Sequence, residues 1–112
     1  MKKVNVSKGS ITIVSLPIGN LKDITIRAIE TLEDSDIIYC EDTRTTIKLT
    51  KHYNIKTQLK SYHEHSTSKV REQIIKELND GRKISLVSDA GTPLISDPGY
   101  KLIRDLKKKG YT

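Results

Sequence analysis

Short apolar runs alternate along this chain with longer stretches in which apolar residues return every three or four positions. Residues 11–16, 36–40 and 83–87 form β-branched runs bounded by turn formers, and each predicts a strand. Leu59-Lys60-Ser61 predicts a shorter, more peripheral one. Between the runs, Ile24, Ala28, Ile29 and Leu32 share one face of a helix. Val70, Ile74, Ile75 and Leu78 share a face of another, which Asn79-Asp80-Gly81 brings to a stop. A further helix is expected from about Thr43 to His52. Near the end, Asp97 suits a cap and Pro98 a first helical position, with Leu102, Ile103 and Leu106 as the apolar face of a last helix and Gly110 closing it. Strands alternating with helices imply βαβ units with right-handed crossovers. The expected fold is therefore α/β, a mostly parallel sheet of about four to five strands flanked by helices.

The 112 residues fit one compact domain. The pattern assigns residues 11–112 to that domain and leaves residues 1–10 as an amino-terminal extension. The chain stops at Gly110-Tyr111-Thr112, where a helix has just closed and another strand is due. This reads either as a cut at the edge of a larger protein or as a complete small α/β domain. Cys40 is the single cysteine, so an internal disulfide is excluded and a reducing cytoplasm fits. The apolar runs fall far short of the roughly 20 residues that cross a bilayer, and polar Asn5, Ser7, Lys8 and Gly9 interrupt any signal-peptide core. The formal charge of +6 allows a polyanionic partner without demanding one.

In an open parallel sheet, ligands gather outside the carboxyl ends of the strands. Two segments stand at such positions. In the first, residues 16–23, Pro17 and Gly19 shape a tight turn and Gly19 admits close backbone approach; Asn20 or Asp23 there also suits a helix cap. It is not G-x-G-x-x-G, which argues against a dinucleotide pyrophosphate. The second, residues 88–99, is rich in small residues and long for a connection that ordinarily takes about 2–6 residues. Gly91, Gly99, Pro93 and Pro98 make it a stiff loop suited to a small polar ligand.

Glu41-Asp42-Thr43-Arg44 offers a carboxylate pair for ribose binding or general-base work, or a helix cap for Asp42. Tyr62-His63-Glu64-His65 has two histidines but too few ligands for a metal site, so no metal is expected. Arg44, Lys48, Lys51 and His52 can share a helix surface, a candidate stripe for RNA phosphates as well as an ordinary solvated face.

Taken together, four blocks resemble the tetrapyrrole methylase-like (class III) S-adenosylmethionine-dependent methyltransferases, and within them the ribosomal RNA branch. They are residues 16–28 (Leu-Pro-Ile-Gly-Asn-Leu-Lys-Asp-Ile-Thr-Ile-Arg-Ala), 41–44 (Glu-Asp-Thr-Arg), 61–65 (Ser-Tyr-His-Glu-His) and 86–100 (Leu-Val-Ser-Asp-Ala-Gly-Thr-Pro-Leu-Ile-Ser-Asp-Pro-Gly-Tyr). The resemblance implies a Rossmann-like three-layer amino-terminal domain, with the donor held in a cleft against a carboxy-terminal domain absent here. It implies S-adenosylmethionine contacts from Pro17, Ile18, Gly19, Ser88, Asp89, Ala90, Gly91, Thr92 and Pro93. The broader family often has Gly-Asp-Pro where this sequence has Gly91-Thr92-Pro93, which points away from a corrin or porphyrin substrate. The implied reaction is 2′-O-methylation of a cytidine in 16S ribosomal RNA of the 30S subunit. Glu41, Asp89 and His63 are the candidates for the proton acceptor, and the spacing does not select among them. With half a pocket, this chain alone is expected to bind the donor weakly and to be inactive. Apolar surface left for the second domain would favour a homodimer. The rival readings are a tetrapyrrole methyltransferase and a non-catalytic α/β module that binds RNA or a partner.

Overall fold

The computed structural model describes residues 2–6, 8–16, 21–62 and 68–89. The chain runs β1 (Lys2–Val6), β2 (Gly9–Leu16), a 3-10 turn (Leu21–Asp23), α1 (Ile26–Asp34), β3 (Ile37–Cys40), α2 (Thr43–His52), β4 (Gln58–Ser61), α3 (Ser68–Asn79) and β5 (Lys83–Asp89). These strands make one sheet in the order β1-β2-β5-β3-β4. β2, β5, β3 and β4 are parallel, and β1 folds back antiparallel along β2.

The central strands are apolar because both of their faces are covered. On one face Ile11, Ile13, Ile37, Tyr39, Ile84 and Leu86 pack with Ile74 and Leu78 of α3. On the other, Val14, Leu16, Ile38, Cys40 and Val87 pack with Ala28 and Leu32 of α1 and Leu49 of α2. The result is the expected α/β architecture in three layers, with a parallel four-strand core and one antiparallel edge strand.

Local chemistry sets where each helix begins and ends. Thr25 caps α1, its hydroxyl accepting from the Ala28 amide at 3.1 Å. Asp42 caps α2, accepting from the Arg44 amide at 3.0 Å. α2 and α3 both close in the Schellman manner, with a left-handed residue just past the end. For α2 that residue is Asn54 (φ 56°), and Ile55 N–H donates to the Thr50 carbonyl at 2.8 Å. For α3 it is Gly81 (φ 86°), and Arg82 N–H donates to the Glu77 carbonyl at 3.1 Å.

The structure departs from the sequence expectations chiefly in four places. Residues 1–10 contribute a strand: Lys2–Val6 pairs with β2 in the register Val6↔Gly9 to Lys2↔Ile13. Lys3-Val4-Asn5-Val6 does alternate, with polar Lys3 and Asn5 exposed, but the run is short and lies at the edge of the sheet. Asp36 is not in β3. Its carboxylate accepts from the Lys83 amide at 2.8 Å, and its own amide donates to the Lys83 carbonyl at 2.8 Å, clamping the entrances of β3 and β5. The cap of α1 is Thr25, not Asn20 or Asp23. β5 runs to Asp89, two residues past its expected end, because β2 continues beside it. The helix expected after Asp97 lies outside the described residues.

Candidate functional site

All four parallel strands deliver their carboxyl ends to one edge of the sheet. Val14, Val87, Cys40 and Ser61 stand level across it, since Val14 pairs with Val87, Cys40 with Val87 and Cys40 with Ser61. β2 and β5 then project together beyond that row, pairing Ser15 with Ser88 and Leu16 with Asp89. Neighbouring strands lie about 5 Å apart, so the segments that follow Leu16 and Asp89 leave from adjacent points. At β3 and β4 the Tyr62 amide donates to the Cys40 carbonyl at 2.9 Å, carrying that pairing one residue further. Glu41 and Tyr62 therefore also stand at this edge. Leu16, Glu41, Tyr62 and Asp89, one from each of the four sequence blocks, meet there because each stands at or just after the end of a parallel strand.

The flanking chemistry differs from block to block. Glu41 is exposed immediately after β3. Asp42 is engaged as a cap, accepting also from the Thr45 hydroxyl at 3.3 Å and lying 3.5 Å from Arg44 Nε. The hydrogen bond from the Arg44 amide, helped by the guanidinium charge and the Thr45 hydroxyl, holds its carboxyl below the usual carboxylate range against an opposing effect of desolvation. Its cap therefore persists in mild acid and is lost only as pH falls through that lowered value. The Cys40 thiol is buried and donates to the Lys60 carbonyl at 3.7 Å, and burial pushes its pKa up, so it is a packing residue rather than a nucleophile. Behind the edge on the α3 face, Tyr39 donates to Glu77, which also takes Lys60 Nζ at 3.3 Å.

Of the expected donor contacts, Ser88 and Asp89 are the last two residues of β5. Pro17, Ile18, Gly19, Ala90, Gly91, Thr92 and Pro93 lie outside the described residues, as does His63. Asp89 ends β5 and Glu41 directly follows the neighbouring β3. Arg44, Lys48 and Lys51 are exposed on α2. Sequence reasoning missed Thr25, although a threonine just ahead of the periodic positions is a recognised start signal. A groove of about 390 Å³ is lined by Ser10, Thr12, Arg27, Asp34 and Lys83. It opens near the amino ends of β2 and β5, where Lys83 is already paired with Asp34 at 3.1 Å, on the side of the sheet away from the convergent loops.

The model of the Tetrapyrrole (Corrin/Porphyrin) Methylases matches residues 10–112. The chain belongs to the tetrapyrrole methylase family. Within this family it is 58% identical over 104 residues to the Ribosomal RNA small subunit methyltransferase I of Rickettsia prowazekii, covering 93% of this chain and 37% of that protein. The corresponding protein of Halalkalibacterium halodurans is 52% identical over 103 residues, covering 92% of this chain and 36% of that protein. The chain thus spans little more than a third of the length of these relatives. Among solved structures, a cobalt precorrin-4 methyltransferase of cobalamin biosynthesis superposes with a TM-score of 0.71 at 14% identity, over 93% of this chain and 43% of the other. That likeness concerns the fold alone and says nothing about substrate.

Proposed function

We propose that this protein transfers a methyl group from S-adenosylmethionine to the 2′ hydroxyl of a cytidine in 16S ribosomal RNA, acting on the 30S subunit in the cytoplasm. The observation that carries the reading is the parallel pairing of Leu16 with Asp89, which sets the last described residues ahead of 17–19 and 90–93 on neighbouring strands. Residues 17–19 and 88–93 would line one wall of the donor pocket, their backbone approaching closely at Gly19 and Gly91. A second domain would supply the opposite wall. The RNA substrate is supported by the relatives at 58% and 52% identity, both of which bear the ribosomal RNA methyltransferase name.

The chemistry needs an in-line ribose oxygen and an acceptor for its proton. The oxygen attacks the methyl carbon, the carbon–sulfur bond breaks, and S-adenosylhomocysteine leaves. Glu41 after β3, Asp89 at the end of β5 and His63 beyond β4 are the acceptors this edge offers.

The test uses the full-length protein with methyl-labelled donor and 30S subunits from cells lacking the modification. Label is expected in 2′-O-methylcytidine released from 16S RNA, and none in uroporphyrinogen offered in its place. Label in the tetrapyrrole, or in neither substrate, rejects the assignment. Half a pocket should hold the donor poorly, so the 112 residues alone are expected to show no micromolar binding of S-adenosylmethionine by titration calorimetry. A clear micromolar isotherm would show that one wall is sufficient.

A further inference from the structure

Resting on the RNA reading above, we infer that the outward face of α2 is a track for the RNA backbone, holding phosphates that flank the target nucleotide. A helix advances about 100° per residue, which places Arg44, Lys48 and Lys51 within an arc of about 60°. Thr46, Leu49 and Thr50 occupy the opposite side and are buried against the sheet. Arg44, Lys48 and Lys51 are all exposed, and Ile47, 42% exposed, adds an apolar point beside them that suits a ribose or base face.

Charge balance separates this face from an ordinary solvated one. α1 mixes Arg27 with Glu30, Glu33 and Asp34, and α3 mixes Lys69, Arg71 and Lys76 with Glu72 and Glu77. α2 has Arg44, Lys48 and Lys51 and no acidic residue, and residues 43–56 as a whole add Lys56 and still contain none. Asp42 beyond the helix start engages Arg44 at 3.5 Å, whereas Lys48 and Lys51 have no ion pair among the described residues. Three cations held in a row with a single counter-charge, Asp42 at Arg44, repel one another, and a polyanion relieves that repulsion.

Position gives the track its direction. α2 starts one turn from Cys40, at the same sheet edge as the ends of β2 and β5, and runs back from it. Arg44 is therefore the end nearer the methylation site, and Lys51 lies about 10 Å further along the axis. That length is enough to meet more than one phosphate.

The experiment compares the full-length protein with a variant carrying Lys48→Gln and Lys51→Gln, and with Lys76→Gln as a control of equal type on α3. Binding to a labelled fragment of small-subunit ribosomal RNA is followed by anisotropy across a salt series, beside methyl transfer to 30S subunits and donor titration. The double variant should bind RNA roughly tenfold more weakly at moderate salt, with a slope of log K against log salt shallower by about 1.4 to 1.8. Its KM for 30S subunits should rise in step, while kcat at saturation, donor affinity and the Lys76→Gln control stay as in the parent. An unchanged affinity and slope in the double variant, with active parent protein, overturns the track alone. A parent that neither binds nor methylates the RNA overturns the RNA reading and the track with it.

Discussion

Replacing Gly9 by alanine should destabilise the protein by about 3 kcal/mol. Gly9 opens β2 where it passes the close of α3. A methyl group built there would sit 2.5 Å from the Arg82 carbonyl oxygen and 2.6 Å from that of Leu78. Both obstacles are backbone, so no side-chain rotation relieves them. The Arg82 oxygen is also committed, accepting from the Ser10 amide at 3.2 Å, and Arg82 N–H completes the α3 closure. Moving either chain breaks one of those bonds, and the core above Ile11 and Leu78 opens. A domain of this size has only about 5–15 kcal/mol of stability, and each kcal/mol shifts Tm by about 4–8 °C. Thermal and urea unfolding followed by circular dichroism should therefore show a fall of at least 10 °C, on the same scale. Gly81→Ala is the internal comparison. There φ is 86° but the nearest atom is Lys8 Cβ at 3.5 Å, so only the left-handed backbone cost of about 1 kcal/mol applies. Gly9→Ala melting no lower than Gly81→Ala would refute the close approach.

The Tyr39–Glu77–Lys60 group carries the second large effect. Glu77 is 6% and Tyr39 1% exposed, and the carboxylate has the tyrosine hydroxyl on one oxygen and Lys60 on the other. Glu77→Leu strands a buried hydroxyl without an acceptor and leaves the ammonium unpaired. Lys60 reaches solvent, its side chain being 33% exposed, so its share is screened and the hydroxyl dominates. A loss of about 2–3 kcal/mol is expected. Adding Tyr39→Phe should recover much of it, because removing both partners leaves no orphan; a double variant as unstable as the sum of the singles would contradict this.

The same group has an alkaline signature. Burial first, then the hydrogen bond to Glu77 and its charge, push the Tyr39 pKa well above its ordinary value. The folded state then keeps a proton that the unfolded chain releases near pH 10, by the usual tyrosine value of about 10. This contribution is fully present below that pH and is lost as pH rises through the raised folded value. Stability should fall steeply in alkali in the parent and more gently in Tyr39→Phe, and equal slopes would remove Tyr39 as the cause.

Much of the layout is written into local pattern. The short, nearly continuous apolar runs of β2 and β5 and the period near 3.6 in α1 and α3 follow from which faces are buried, so these strands and helices are legible from residue order alone. α2 is legible to its limits, because Asp42 and the polar stop after His52 act locally. β1 is less so: five residues opening on Lys2-Lys3 give only a short signal, and the strand is defined by its pairing with β2. Asp36 looks like the start of a strand until the Lys83 backbone arrives to claim its carboxylate.

Residue types and their order thus dictate the α/β class, the approximate position of each described helix and the four blocks of unusual loop chemistry. Their meeting is a different matter. That β5 inserts between β2 and β3, setting Leu16 against Asp89 and Cys40 against Val87, depends on pairings between strands far apart in the chain. The buried bond of Tyr39 to Glu77 and the close pass of Gly9 over Arg82 belong to the same class. Such contacts are selected by how both sheet faces are packed at once, and no window of neighbouring residues contains that information.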